Sequence, residues 1–231
     1  MAMQGAVRRN TRAETVGERT RLDILEATET LLALNGPSAT SIRSIAARAD
    51  VNVAAINYHF HSKDGLIDEL LRRRAAPLNQ QRLSELDTAT QAAAPGGLAL
   101  TDILRALVAP MLQFAALEPL PARALVAAQF LSRAAHRPGG FSAADPLHAQ
   151  VEKRFLEALA AVLPELDAPT LLARYRLVEG ALNLAMCGAD DSADTPQAEP
   201  SEQKADRLAV TEAQIANFIA FTAAGLRSKA A

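Results

Sequence analysis

Apolar residues in this chain recur at three- and four-residue spacing, and no stretch joins β-branched alternation to hairpin turn signals. That pattern leaves an all-α fold as the expectation. Hydrophobic residues make up 49% of the chain, aromatic residues only 4%, and Trp is absent, so the apolar mass is mostly Ala and Leu, both good helix formers. A length of 231 residues allows one sizeable core, or a small domain joined to a larger one.

The helices can be placed from their faces and their ends. Ile24, Ala27, Thr28, Leu31 and Leu32 mark the buried face of a helix over 20–34, and Asn35-Gly36-Pro37 ends it. Thr40 or Ser41 caps a second, short helix whose Ile42, Ile45, Ala46 and Ala49 share a face. Asp50-Val51-Asn52 is a tight break, and Asn52 caps a third helix from Val53 to about Phe60. Ser62 caps a fourth from Lys63 toward Ser84, which Pro77 is expected to kink or interrupt. After a loop at 92–97, apolar helical segments follow near 98–117, 121–136, 144–163 and 168–188. The acidic stretch GADDSADTPQAEPSE, 188–202, reads as a mobile loop, and a last helix covers 204–227.

Charge and cysteine content narrow the setting. The net charge is −2, but residues 1–82 hold 12 Lys plus Arg against 9 Asp plus Glu, a net of +3, and the remainder is −5. The single cysteine, Cys187, rules out an intrachain disulfide, suits a reducing cytoplasm and reads as a small core residue. No apolar run is long and uninterrupted enough to span a membrane. The opening MAMQGAVRRNTRAET lacks the apolar segment of a signal peptide and reads as a flexible, partly basic arm.

The most informative segment is TSIRSIAARADVNVAAINYHFHSK, Thr40 to Lys63. Two short helices a few residues apart, the first rich in small apolar residues, describe a helix-turn-helix. Ala46, Ala47 and Ala49 let the two backbones approach, Val51, Ile56 and Phe60 fill the space beneath, and the other face of the second helix is left for a DNA major groove about 12 Å wide. With the first helix ending in Asn35-Gly36, the NYHF signature and HSKDGL opening the next helix, residues 20–72 closely resemble the TetR family of transcriptional regulators. The RAAPLNQQRLSELD stretch resembles a branch that includes fatty-acid-responsive regulators.

The resemblance implies a basic arm at 1–18, a DNA-binding domain at 19–66 and a C-terminal ligand-binding and dimerisation domain at 67–231. It assigns Arg43 to a base edge, where its two donors suit guanine, and Thr40 and Ser41 to phosphate at a helix N-terminus. Val53, Ala54 and Ala55 match the base-facing start of the recognition helix. Being small and apolar, they can meet a thymine methyl but donate no side-chain hydrogen bond, which shifts direct readout toward Arg43 and Asn57, the latter suited to adenine. Tyr58, His59 and Lys63 match phosphate-contacting positions, and Arg8, Arg9 and Arg12 of the arm are candidates for a minor groove.

For the second domain the resemblance implies a homodimer built from the last two helices, 168–188 and 204–227. Tyr175, Val178 and Leu182 on one stripe and Ile215, Phe218 and Phe221 on the other are the candidate interface. Leu104, Leu107, Val108, Met111, Phe114, Phe130 and Phe155 are candidates for a pocket holding a small, apolar effector, with ordinary core as the competing reading of each. The implied function is a cytoplasmic repressor that holds a palindromic stretch of double-stranded DNA as a dimer and is released when the effector biases the helix at 63–84.

Two alternatives stay open at this point. An enzyme is disfavoured: His59, His61, His136 and His148 lack metalloprotease spacing, no cysteine cluster, Walker loop or GxSxG motif is present, and no cofactor or metal is expected. Asp190, Asp191 and Asp194 cluster in a stretch with linker character, where solvation explains them. The other alternative is a helix-turn-helix that binds a protein, or DNA without sequence preference.

Overall fold

The structure, a computed structural model, describes residues 16–93, 97–118, 126, 146–187 and 200–228, with the side chains of 37, 38 and 200–210 outside that description. Eight helices and no strand occur among these residues. They fall into two compact units, divided between Leu66 and Ile67. Residues 1–15 of the expected arm, the helix at 121–136 apart from the buried, helical Val126, and residues 188–199 of the expected acidic loop lie outside the described residues, while Val16, Gly17 and Glu18, expected in the arm, already belong to the first helix.

The first unit is built from α1 (Val16–Ala39), α2 (Ile42–Arg48), α3 (Val53–Phe60) and the start of α4 (Lys63–Ala92). Helical geometry breaks at Gly36, with φ 72° and ψ 171°, a conformation glycine adopts without strain. Ile24, Leu25, Ala27 and Leu32 of α1 bury against Ile45 and Ala46 of α2 and Ile56 and Phe60 of α3. The Arg21 guanidinium lies over the Phe60 ring, 5.3 Å from its centre. Of the three alanines expected to let α2 and α3 approach, only Ala46 is buried, while Ala47 is exposed and Ala49 half-buried. A seven-residue helix has room for little more than one inward stripe, and Ile45-Ala46 is that stripe.

In the second unit α4 runs on through Pro77 to Ala92 instead of stopping near Ser84. Pro77 is exposed, so the backbone carbonyl that its missing N–H leaves bare can face water. Next come α5 (Leu100–Leu117), α6 (Pro146–Val162), α7 (Ala168–Cys187) and α8 (Pro200–Arg227). Helix α5 is the centre of this unit, packed against α6, α7 and α8. It is apolar on nearly all sides, with Ile103, Leu104, Ala106, Leu107, Val108 and Met111 buried. By length and composition alone it reaches the size of a membrane span, which amends the sequence expectation, and its burial among other helices accounts for that apolarity. Helix α8 starts at Pro200, inside the expected loop, because proline fits the first turn of a helix, where no N–H is needed. Asp167 caps α7: its Oδ1 accepts the Thr170 N–H at 2.8 Å, and the Thr170 side chain first, then this backbone bond, hold its carboxyl below the usual range.

Candidate nucleic-acid interface

The exposed surface of the first unit is set by how its short helices are capped. Ser41 and Ser44 form a reciprocal pair: Ser41 Oγ accepts the Ser44 N–H at 3.1 Å, and Ser44 Oγ accepts the Ser41 N–H at 3.0 Å. The chain turns at Asp50, whose φ of 53° is left-handed. Asn52 Oδ1 then accepts the Ala55 N–H at 2.7 Å and starts α3. At the other end His61, also left-handed at φ 64°, donates its N–H to the Asn57 carbonyl at 2.9 Å. Ser62 Oγ accepts the Gly65 N–H at 3.0 Å and opens α4. Such caps leave α3 little freedom to tilt or slide.

Within α3 the two faces separate cleanly. Ile56 and Phe60, four residues apart, are buried, while Val53, Ala54, Asn57 and Tyr58 are exposed, Tyr58 at 79%. Ala55 and His59 are half-buried at the edges. The His59 ring meets Tyr58 edge-on, with ring centres 5.1 Å apart. Arg43 and Ser41 are exposed on α2, and Lys63 is half-buried at the first turn of α4. Nine of the ten residues expected at DNA therefore lie wholly or partly on the surface.

Thr40, expected at phosphate, is the exception. It is 1% exposed, and its hydroxyl donates to the Gly36 carbonyl at 2.8 Å and the Leu31 carbonyl at 3.2 Å. A hydroxyl committed to two carbonyls of its own chain has no donor left for phosphate, so Thr40 is a latch between the end of α1 and the start of α2. Sequence reasoning also passed over Gly65. A Cβ there would press into the Phe60 carbonyl oxygen, so only glycine lets α4 start this close to the end of α3.

The second unit corrects the expected dimer residues. Tyr175, Val178, Leu182 and Ile215 are buried within one chain and have no surface left to give a partner. Phe218 is half-buried and Phe221 exposed. Among the described side chains, the large apolar ones that α7 and α8 expose are Leu177, Leu184 and Phe221, each close to three-quarters exposed. Leu177 and Leu184 are two turns apart on one face of α7, with Gly180 and Ala173 also exposed there, and Ala220 and Ala224 flank Phe221 on α8. The more apolar stripe of each helix is thus the intrachain core.

Of the expected pocket residues, Leu104, Leu107, Val108, Met111 and Phe155 share one buried cluster, Phe114 packs against it half-buried, and Phe130 lies outside the described residues. Besides His148, already weighed as a metal ligand, five polar side chains are buried among the described residues of this unit and had not been singled out: Asn79, Arg82, Asn183, Thr211 and Thr222. For two of them the signal was present, since Asn79 and Arg82 fall in register with Ala75, Leu78 and Leu86 on the inward face of α4. Burial also pushes the Tyr175 phenol well above its ordinary pKa, and the neighbouring Glu179 carboxylate adds to the shift. No three His, Cys, Asp or Glu side chains gather as a metal site among the described residues.

Comparison with known proteins bears on both units. Residues 24–70 match the family model described as bacterial regulatory proteins of the tetR family. Residues 105–225 match the model described as a tetracyclin repressor-like C-terminal domain. A helix-turn-helix-type transcriptional repressor of Mycobacterium tuberculosis is 44% identical over 62 residues, which is 27% of this chain and 33% of that protein. A probable helix-turn-helix-type transcriptional regulator of Bacillus subtilis is 46% identical over 52 residues, 22% of this chain and 25% of that protein. The chain thus spans a third or less of the length of these relatives. Among solved structures, the ketosteroid transcriptional regulator KstR2 of Mycobacterium tuberculosis aligns with a TM-score of 0.55 at 20% identity, covering 87% of this chain and 93% of that one. NalD of Pseudomonas aeruginosa, the secondary repressor of a multidrug efflux pump, aligns at 0.51 with 18% identity, covering 90% and 96%. At these identities the likeness is one of fold.

Proposed function

From the premise that this chain belongs to the TetR family of bacterial transcriptional regulators, we propose that it is a repressor that occupies a palindromic operator as a homodimer and leaves it when a small molecule binds the second unit. The observation that carries the DNA half is the division of α3. Ile56 and Phe60 hold the helix down while Val53, Ala54, Asn57 and Tyr58 stand clear on the other side. A helix held this way fits a major groove. Asn57 pairs with adenine, Arg43 with guanine, and Val53 and Ala54, with Ala55 at the edge, pack against thymine methyls. Ser41, Tyr58, His59 and Lys63 set the register on phosphates, which carries no sequence information by itself. The protein acts where its DNA is, in the cytoplasm.

One such helix reads only a few base pairs, so useful selectivity calls for two copies related by a two-fold axis. The exposed Leu177, Leu184 and Phe221, with small residues between them, are the surface that supports self-association, because packing two such faces together removes apolar area from water. The release half rests on α4, a single helix that carries Lys63 at its first turn and buried side chains of the second unit farther along.

Selection of bound DNA from a random pool tests this reading, with sedimentation of the full chain alongside. The expected result is a palindromic consensus bound by a two-copy species, at least about 10³-fold tighter than random DNA at physiological salt. A non-palindromic or absent consensus, with affinity that only collapses as salt rises, would instead mean binding to phosphates alone.

A further inference from the structure

Asn79 is wholly buried on α4, and neither its amide oxygen nor its amide nitrogen has a hydrogen-bond partner. An interior amide that its own chain leaves without a partner opposes folding and calls for a reason. Its surroundings supply one. Arg82, one turn along the same face, is also buried; its Nε donates to the Leu107 carbonyl at 2.9 Å, and Nη1 lies 3.9 Å from Glu179 Oε1. Glu179 accepts the Tyr175 hydroxyl at 3.1 Å. Asn183, one turn beyond Glu179 on α7, is buried with its amide oxygen also unpartnered. A polar strip from α4 and α7 therefore runs inside the same core that holds Leu104, Leu107 and Phe155.

We propose that this strip is the polar end of the effector site, and that Asn79 reads an uncharged headgroup able both to donate and to accept a hydrogen bond, on a small molecule whose remainder is apolar. The proposal rests on the ligand-release reading above and narrows the effector from apolar to amphipathic. The choice of an uncharged head follows from charge balance. Arg82 already faces Glu179, so an added charge of either sign would enter the interior with no counterpart. Glu152 of α6, which acts electrostatically on Tyr175, makes the strip still less welcoming to an anion. The bare amide offers one side that donates and one that accepts. Carboxamides, lactams and alcohols answer both, whereas a carboxylate has no proton to give and an alkylammonium no lone pair to offer.

Four probes with one hydrocarbon body separate the cases: octanamide, 1-octanol, octanoate and octylammonium, titrated calorimetrically into the full chain and into Asn79→Leu. Octanamide and 1-octanol are expected to bind about ten-fold or more tightly than the two ions, and Asn79→Leu to erase that preference. The same variant is expected to raise the melting temperature, because it replaces a bare buried amide with an apolar side chain of similar volume. Equal binding of all four heads, binding of none, or a lower melting temperature in Asn79→Leu overturns the proposal; the last would mean that the fold itself holds the amide. Should the variant not fold, the ranking of heads on the unmodified protein decides alone. Operator binding measured with the same probes keeps the two ideas apart. A compound that releases DNA without the headgroup preference sinks this assignment and spares release, while octanamide that binds through Asn79 and leaves operator affinity unchanged does the reverse.

Discussion

The two units treat polar groups in opposite ways. In the first, the caps at Ser41, Asn52 and Ser62 are closed by bonds of 2.7 to 3.1 Å, and among the described residues no buried side-chain polar atom there lacks a partner. In the second, Asn79 and Asn183 bury amide atoms with none. A surface that reads DNA gains from a scaffold satisfied in itself, since its chemistry points outward and must arrive in a fixed geometry. An interior that reads a small molecule has to keep some of its own valences open.

The sharpest way to break this contrast is to damage each unit and look for the effect in the other. Phe155→Ala removes a wholly buried ring from the second unit and is expected to cost about 3–5 kcal/mol of stability, measured by denaturant melts. Arg43→Ala should leave those melts unchanged and weaken operator binding by about 1–3 kcal/mol, with selectivity relaxed at one position of each half-site. If operator binding and selectivity survive Arg43→Ala intact, its role as a base reader is wrong. Gly65→Ala tests the claim that the first unit is held rigidly. The added methyl meets the Phe60 carbonyl, so a loss of about 1–3 kcal/mol is expected, together with weaker binding on every DNA sequence.

The smallest effect lies at alkaline pH. Tyr175 is buried with its pKa raised, so its phenol stays protonated in the folded chain after the unfolded chain has begun to ionise, near pH 10. The stability it contributes is present below that pH and lost as pH climbs above it. Tyr175→Phe should flatten the alkaline decline in denaturant melts taken between about pH 8 and 11.

Much of the first unit was legible because its signals are short-range. A cap joins residues three apart, as Asn52 and Ala55 show, and the break at Gly36 stands where Asn35-Gly36-Pro37 indicated it. The second unit was legible as helices but not as faces. Helix α7 has apolar residues on more than one side, and the side with Tyr175, Val178 and Leu182 looked as fit for a partner as for a core. Nothing within twenty residues of sequence tells those sides apart, because the decision belongs to α5.

The short helices of the first unit, the caps at Asn52 and Ser62 and the exposed signature of α3 were determined by the order of residues alone, since each depends on neighbours no more than a turn or two away. Tertiary structure decided which hydroxyl turns inward, which apolar stripe is left over, and that Asn79 and Arg82 face a hydrocarbon interior. Those outcomes depend on partners such as Leu107 and Glu179, 25 and 97 residues from Arg82, and only packing brings side chains so far apart in the chain within reach of one another.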